Sequence, residues 1–188
     1  MNLPNKLTVF RVILIPFFVI VMLANPFGDV SRFIAVGIFI IASFTDFLDG
    51  YIARKQKLVS NFGKFMDPLA DKLLVGAAMI CLCDSSAILP SAGLIPGWIV
   101  IVIISREYFI SGFRTIAADQ GLVLAAGWWG KVKTVCQMLM IIFLIVDFDF
   151  ALFKYAEILL VWLSLFFTVF SMIDYVAKNG DVLKDKAE

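Results

Sequence analysis

The chain has 188 residues, 62% of them hydrophobic and 16% charged, with 19 phenylalanines and a net charge of +1; its mean hydropathy is +0.97. Soluble domains carry roughly 45–50% apolar residues, and a chain this short has too little interior to bury the excess, so a soluble fold is excluded and an all-α integral membrane protein is expected. The near-neutral charge gives no bulk attraction to nucleic acid, and the absence of histidine excludes His-ligated zinc, a phosphohistidine nucleophile and His-based hydrolase triads.

A membrane-spanning helix takes about 20 residues, so six spans use about 120 and leave the rest for loops and ends. A membrane β-barrel would alternate apolar and polar residues over segments of about 10, unlike the continuous run Val12–Ala24. The first predicted helix covers about Leu7–Leu23 and stops at the turn Asn25-Pro26-Phe27-Gly28-Asp29. Asn5, Lys6 and Arg11 lead straight into it with no small-residue cleavage site, so it reads as a resident span and not a cleaved signal. The second covers about Arg32–Arg54; Phe33–Thr45 is free of charge, and the last part carries Asp46 and Asp49. A basic stretch follows, Arg54, Lys55, Lys57 and Lys64. The third starts near Asp67-Pro68 and reaches Cys83; a loop with Asp84, Pro90 and Pro96 comes next. The fourth covers Gly97–Ile116 and contains Arg106, Glu107 and Arg114. After a link through Gly121 and Gly130, the fifth covers Lys131–Val146, ended by Asp147 and Asp149. The sixth covers Ala151–Val176, with a polar tail behind it. These six helices form a single domain over 1–188, without internal repeat. Cys81, Cys83 and Cys136 all lie in apolar runs and read as small core residues.

Lys and Arg counts orient the spans. The loops at 24–34, 84–97 and 147–157 share one side and hold Arg32 and Lys154, while the other 14 of the 16 basic residues lie opposite or in helix ends near that side. That opposite side, with both termini, is expected to be cytoplasmic, in a multi-pass protein of the cell (inner, cytoplasmic) membrane.

Charges inside membrane segments are costly and usually functional. Asp46 and Asp49 are three apart and share a helix face, as do Asp67 and Asp71, four apart. If the two helices pack as antiparallel neighbours, four carboxylates converge, and they repel one another unless a cation sits between them. Hard oxygen ligands without His or Cys point to Mg²⁺ or Mn²⁺, and four carboxylates suffice for two ions, the arrangement that clamps attacking and leaving oxygens in phosphoryl transfer. Asp67 before Pro68 also fits a helix N-cap with proline at the first helical position. Gly50 beside Asp49 and Gly63 four before Asp67 argue against mere solvated helix ends, since helical glycine costs about 1 kcal/mol relative to alanine and is kept where a backbone must be approached closely.

The pattern Asp46-x2-Asp49-Gly50-x2-Ala53-Arg54-x8-Gly63-x3-Asp67-x3-Asp71 resembles the signature of the CDP-alcohol phosphotransferase family at every fixed position. The resemblance implies a six-helix membrane enzyme, homodimeric, with its site at the cytoplasmic end, that displaces CMP from a CDP-linked lipid or alcohol. It implies that Asp46, Asp49, Asp67 and Asp71 bind the metals, that Asp71 is also the base for the acceptor hydroxyl, and that Gly50, Ala53, Arg54 and Gly63 line the CDP site.

Arg106 and Arg114, eight apart, lie on roughly one face, and Lys131 and Lys133 open the fifth helix, a set suited to holding an anion. The stretches Asn2–Arg11, Ser105–Arg114 and Trp129–Thr134 resemble the bacterial branch of the family whose donor is CDP-diacylglycerol and whose acceptor is sn-glycerol 3-phosphate. That branch implies that Arg106, Arg114 and Lys131 hold the acceptor's phosphate, with Asn5, Thr8, Arg11 and Lys133 as weaker candidates. The first three of those four also fit a helix start and interface anchoring. The same chemistry with another acceptor, inositol phosphate above all, is an alternative. A metal-ion transporter is a remoter one, opposed by aspartates at one interface and by the missing inverted repeat.

Overall fold

The structure is a computed structural model that describes residues 2–56, 61–84, 95–122, 124–125 and 127–183. These form six α-helices, α1 (Leu3–Ala24), α2 (Val30–Gln56), α3 (Asn61–Asp84), α4 (Gly97–Asp119), α5 (Trp128–Val146) and α6 (Ala151–Asn179), followed by a 3-10 turn, Gly180–Leu183. No strand occurs among the described residues. Asn5–Ala24 of α1 and the whole of α5 and α6 are long and apolar enough to cross a membrane. The other three helices carry the four aspartates and Arg106 and Arg114, while Arg11 lies on α1 and Lys131 and Lys133 on α5.

Helix number and order match expectation, and the boundaries differ for physical reasons. Helix α1 starts earlier than predicted because Pro4 occupies its first turn, where a missing N–H costs nothing. Asn25 ends it in a left-handed conformation, φ 45°, and Gly28 follows at φ 58°. The larger correction concerns α3. It begins at Asn61 and not near Asp67, so Asp67 is not the N-cap that the Asp-Pro pair suggested. A proline removes one backbone donor from a helix, but buried Gly63, Ala70, Leu74 and Ala78 share one packed face that carries α3 through Pro68. Helix α4 also runs past its predicted end. Gly121 at φ 75° closes it, with Gly121 N–H donating to Ala118 O at 3.0 Å and Leu122 N–H to Ala117 O at 2.8 Å, the two bonds of a Schellman stop.

The chain separates into two compact units. The first combines Met1–Gly93 with Ile141–Phe148. Within it α1 packs against both α2 and α3. Lipid tails are as apolar as leucine, so helices in a membrane associate by close packing more than by escape from water. The residues at the contact suit that: Ala35 and Ala42 of α2 and Ala70 and Ala78 of α3 are fully buried, and Phe18 meets Phe39 at 6.2 Å between rings. Asp147, at φ 49°, follows α5, and its carbonyl accepts a bond from Arg32 Nη1 at 3.1 Å, tying the start of α2 to the end of α5.

The second unit combines Leu94–Met140 with Asp149–Glu188. Here α4 packs on α6. Ile110, Phe113, Ala117, Tyr175 and Val182 form its buried cluster, with Phe113 and Tyr175 edge to face at 5.7 Å. Trp129 of α5 lies edge-on to Phe170 at 4.9 Å, seating the start of α5 on α6.

Candidate active site

In the first unit the acidic residues lie on α2 and α3, and α1 reaches both. Asn5, Thr8 and Arg11 are spaced by three on α1 and all are buried. Thr8 Oγ1 donates to Asp67 Oδ1 at 2.6 Å. Arg11, with no exposed surface, forms an ion pair with Asp46, whose side chain keeps 36% of its surface open. Asp67 is close enough to Asp46 for their charges to interact. Asp71 stands one turn further along α3, partly buried, and Gly63 is buried two turns before it. Asp49, Gly50, Ala53 and Arg54 continue α2, and their side chains lie outside the described set. Among the described residues no three acidic groups close around one point.

The donor set nonetheless suits a hard divalent cation. It consists of carboxylate oxygens from two helices, that of Asp46 about a third open, and the protein's own guanidinium already sits against Asp46 as countercharge. The carboxylates of Asp46 on α2 and Asp67 on α3 are each held by a residue of α1. Thr8 and Arg11, ranked low from sequence, turn out to bear directly on those two carboxylates.

In the second unit the cations gather around Glu107 of α4. Arg106 is 9% exposed and Lys133 is 1% exposed. A single carboxylate oxygen, Glu107 Oε1, accepts from Arg106 Nη1 at 2.8 Å and from Lys133 Nζ at 2.6 Å. Arg106 Nη2 donates to Ser171 Oγ of α6 at 2.9 Å. Gly130 of α5 faces the same guanidinium; a Cβ there would stand 3.7 Å from Nη2, an ordinary contact. Burying a cation without a partner is expensive, and Glu107 meets that need for two at once. Arg114, two turns after Arg106, is exposed; its Nε donates to Tyr175 OH at 3.3 Å and its guanidinium lies 5.5 Å from the ring centre. Lys131 is exposed at the start of α5. The structure thus brings Lys133, and not Lys131, onto the carboxylate that holds Arg106.

Ser171 and Tyr175 escaped the sequence reading, which singled out no site residue on the sixth helix. The signal was present: Ser164, Thr168, Ser171 and Tyr175 recur at spacings of four, three and four, and all are buried. A polar stripe on a membrane helix faces protein and not lipid.

Comparison with known proteins bears on both regions. The model of the CDP-alcohol phosphatidyltransferase family matches residues 1–170. This chain belongs to that family. The match takes in the acidic pattern of α2 and α3 and the basic residues of α4 and α5. Among bacterial members, the CDP-diacylglycerol–glycerol-3-phosphate 3-phosphatidyltransferase of Bacillus subtilis (strain 168) is 47% identical over 197 aligned positions, covering 97% of each chain. The Haemophilus influenzae protein of the same name is 42% identical over 186 positions, covering 95% of each. That of Rickettsia felis is 35% identical over 177, covering 93% of each.

Proposed function

We propose that this family member transfers the phosphatidyl group of CDP-diacylglycerol to sn-glycerol 3-phosphate, giving phosphatidylglycerophosphate and CMP. The observation that carries the reading is the near full-length similarity to transferases whose name specifies that donor and acceptor. Arg106 and the exposed Arg114, two turns apart on α4, support it, because guanidinium groups suit a phosphorylated acceptor.

In this reading Asp46, Asp49, Asp67 and Asp71 would hold two Mg²⁺ or Mn²⁺ ions, which when bound would neutralise charge on the donor's pyrophosphate and the departing CMP. Gly50, Ala53, Arg54 and Gly63 line the CDP moiety. Arg106 and Arg114 grip the acceptor phosphate, with Lys131 and Lys133 adding positive charge. Asp71 takes the proton from the 1-hydroxyl of glycerol 3-phosphate. That oxygen attacks the phosphorus bonded to diacylglycerol, the phosphoanhydride bond to CMP breaks, and CMP leaves with the bonding pair. With no histidine in the chain, direct displacement is favoured over a covalent enzyme intermediate. The protein is read as a homodimer of six-span subunits in the cytoplasmic membrane, with both termini and the site on the cytoplasmic side.

An acceptor panel tests the chemistry. Purified protein with CDP-diacylglycerol and Mg²⁺ should release CMP with glycerol 3-phosphate and stay near background with glycerol, serine or inositol phosphate. CMP release with inositol phosphate alone overturns the acceptor. Cysteine labelling tests the orientation: the loop 84–97, of which 85–94 lie outside the described residues, should react from outside the cell.

A further inference from the structure

We propose that Ser171 and Tyr175 of α6 are positioning residues for the acceptor's phosphate. They hold the guanidinium groups of Arg106 and Arg114 as a two-armed clamp. The inference rests on the reading above that these arginines bind that phosphate.

Helix α6 supplies one hydroxyl to each arginine: Ser171 Oγ to Arg106 Nη2 at 2.9 Å, and Tyr175 OH to Arg114 Nε at 3.3 Å. Ser171 also donates its own proton to the Thr168 carbonyl at 3.1 Å. Its hydroxyl is thereby oriented with a lone pair toward the guanidinium. Tyr175 is locked by Phe113 against its ring and is buried.

The spacing gives these bonds a purpose. Arg106 and Arg114 are eight residues apart, about 12 Å along a helix axis, while Ser171 and Tyr175 are four apart, about 6 Å. A helical tyrosine also leans back toward the N-terminal turn, which brings its hydroxyl nearer the level of Ser171. Anchored this way, the two cationic arms are held by adjacent turns of α6, roughly 6 Å apart along its axis, instead of by turns of α4 twice as far apart. Donors are left for that anion. Arg114 uses Nε on Tyr175, which leaves both terminal nitrogens. Arg106 Nε is buried and has no partner among the described residues. An unmet buried donor costs stability unless a ligand completes it.

Initial rates with Ser171→Ala and Tyr175→Phe test the proposal. The KM for glycerol 3-phosphate should rise roughly three- to tenfold in each, with kcat and the KM for CDP-diacylglycerol within about twofold of wild type. Ser171→Thr, which restores a hydroxyl, should recover most of the loss. Donor binding without acceptor certifies that each variant is folded. If Ser171→Ala does not accumulate, Tyr175→Phe, which keeps the ring, carries the test alone. Arg106→Ala and Arg114→Ala run in the same assay separate the two levels of the argument. If they raise the acceptor KM while the α6 variants do not, the clamp is overturned and the acceptor site stands. If none of the four changes the acceptor KM, both fall. A parallel loss of kcat and donor affinity in the α6 variants makes them scaffold and also overturns the proposal.

Discussion

The acidic region on α2 and α3 and the basic region on α4 solve opposite problems with one device, a single borrowed countercharge. Asp46 takes Arg11 from α1 and keeps 36% of its side chain open. Arg106 and Lys133 take Glu107 and are nine-tenths buried or more. On the proposed function, the difference in exposure separates a place where charge is to be exchanged from one where charge is to be kept. Open carboxylates can trade a guanidinium for another cation at modest desolvation cost. Buried cations fixed on a shared oxygen cannot leave without stranding Glu107, so they are suited to recognising an incoming anion and not to moving.

Four substitutions break or sharpen this contrast. The largest effect is expected at Asp71. Asp71→Asn should lower kcat by about 10²–10⁴-fold at saturating Mg²⁺ and saturating substrates, the usual worth of a general base; near-normal turnover removes Asp71 from that role. Next comes Arg106→Ala, which should lower kcat/KM for glycerol 3-phosphate by roughly ten- to a hundredfold, with Arg106→Lys recovering only part because the bidentate fork is lost. Glu107→Gln should be smaller. It keeps an oxygen for Arg106 and Lys133 but removes the charge that balances them, so the acceptor KM should rise roughly threefold or more while thermal stability also falls. Unchanged stability would show that the pair of cations does not depend on Glu107. The smallest change is expected for Thr8→Val, which deletes one hydrogen bond to Asp67 and leaves every charge in place. Mn²⁺ titration should then need more metal for half-maximal activity, with the acceptor KM unmoved. A shift in acceptor KM instead would tie α1 to the basic region's task.

The contrast was half legible in the sequence. Pairs of aspartates at helical spacing announce themselves in an apolar chain, because each must be accounted for against the cost of burying it. The helices were legible for the same reason, since long apolar runs admit few alternatives. Asp67-Pro68 misled about where α3 begins, because a local capping pattern and a packed helix interior use the same two letters and only tertiary packing around Gly63 and Ala70 decides between them. Lys131 and Lys133 are both near the start of α5, and nothing local says that Lys133 turns inward to Glu107 while Lys131 faces out. Ser171 and Tyr175 were overshadowed by the phenylalanines around them, although their period carried the information.

The bond from Arg32 to the carbonyl of Asp147 joins residues 115 apart in the chain. At a synthesis rate of about 5–20 residues per second, Asp147 is made roughly 6–23 s after Arg32. Through that interval α1, α2 and α3 are available to pack on one another, but the start of α2 has yet to meet the carbonyl that receives Arg32. A chain that stops before the end of α5 therefore lacks the carbonyl that receives Arg32, and the start of α2 stays untied.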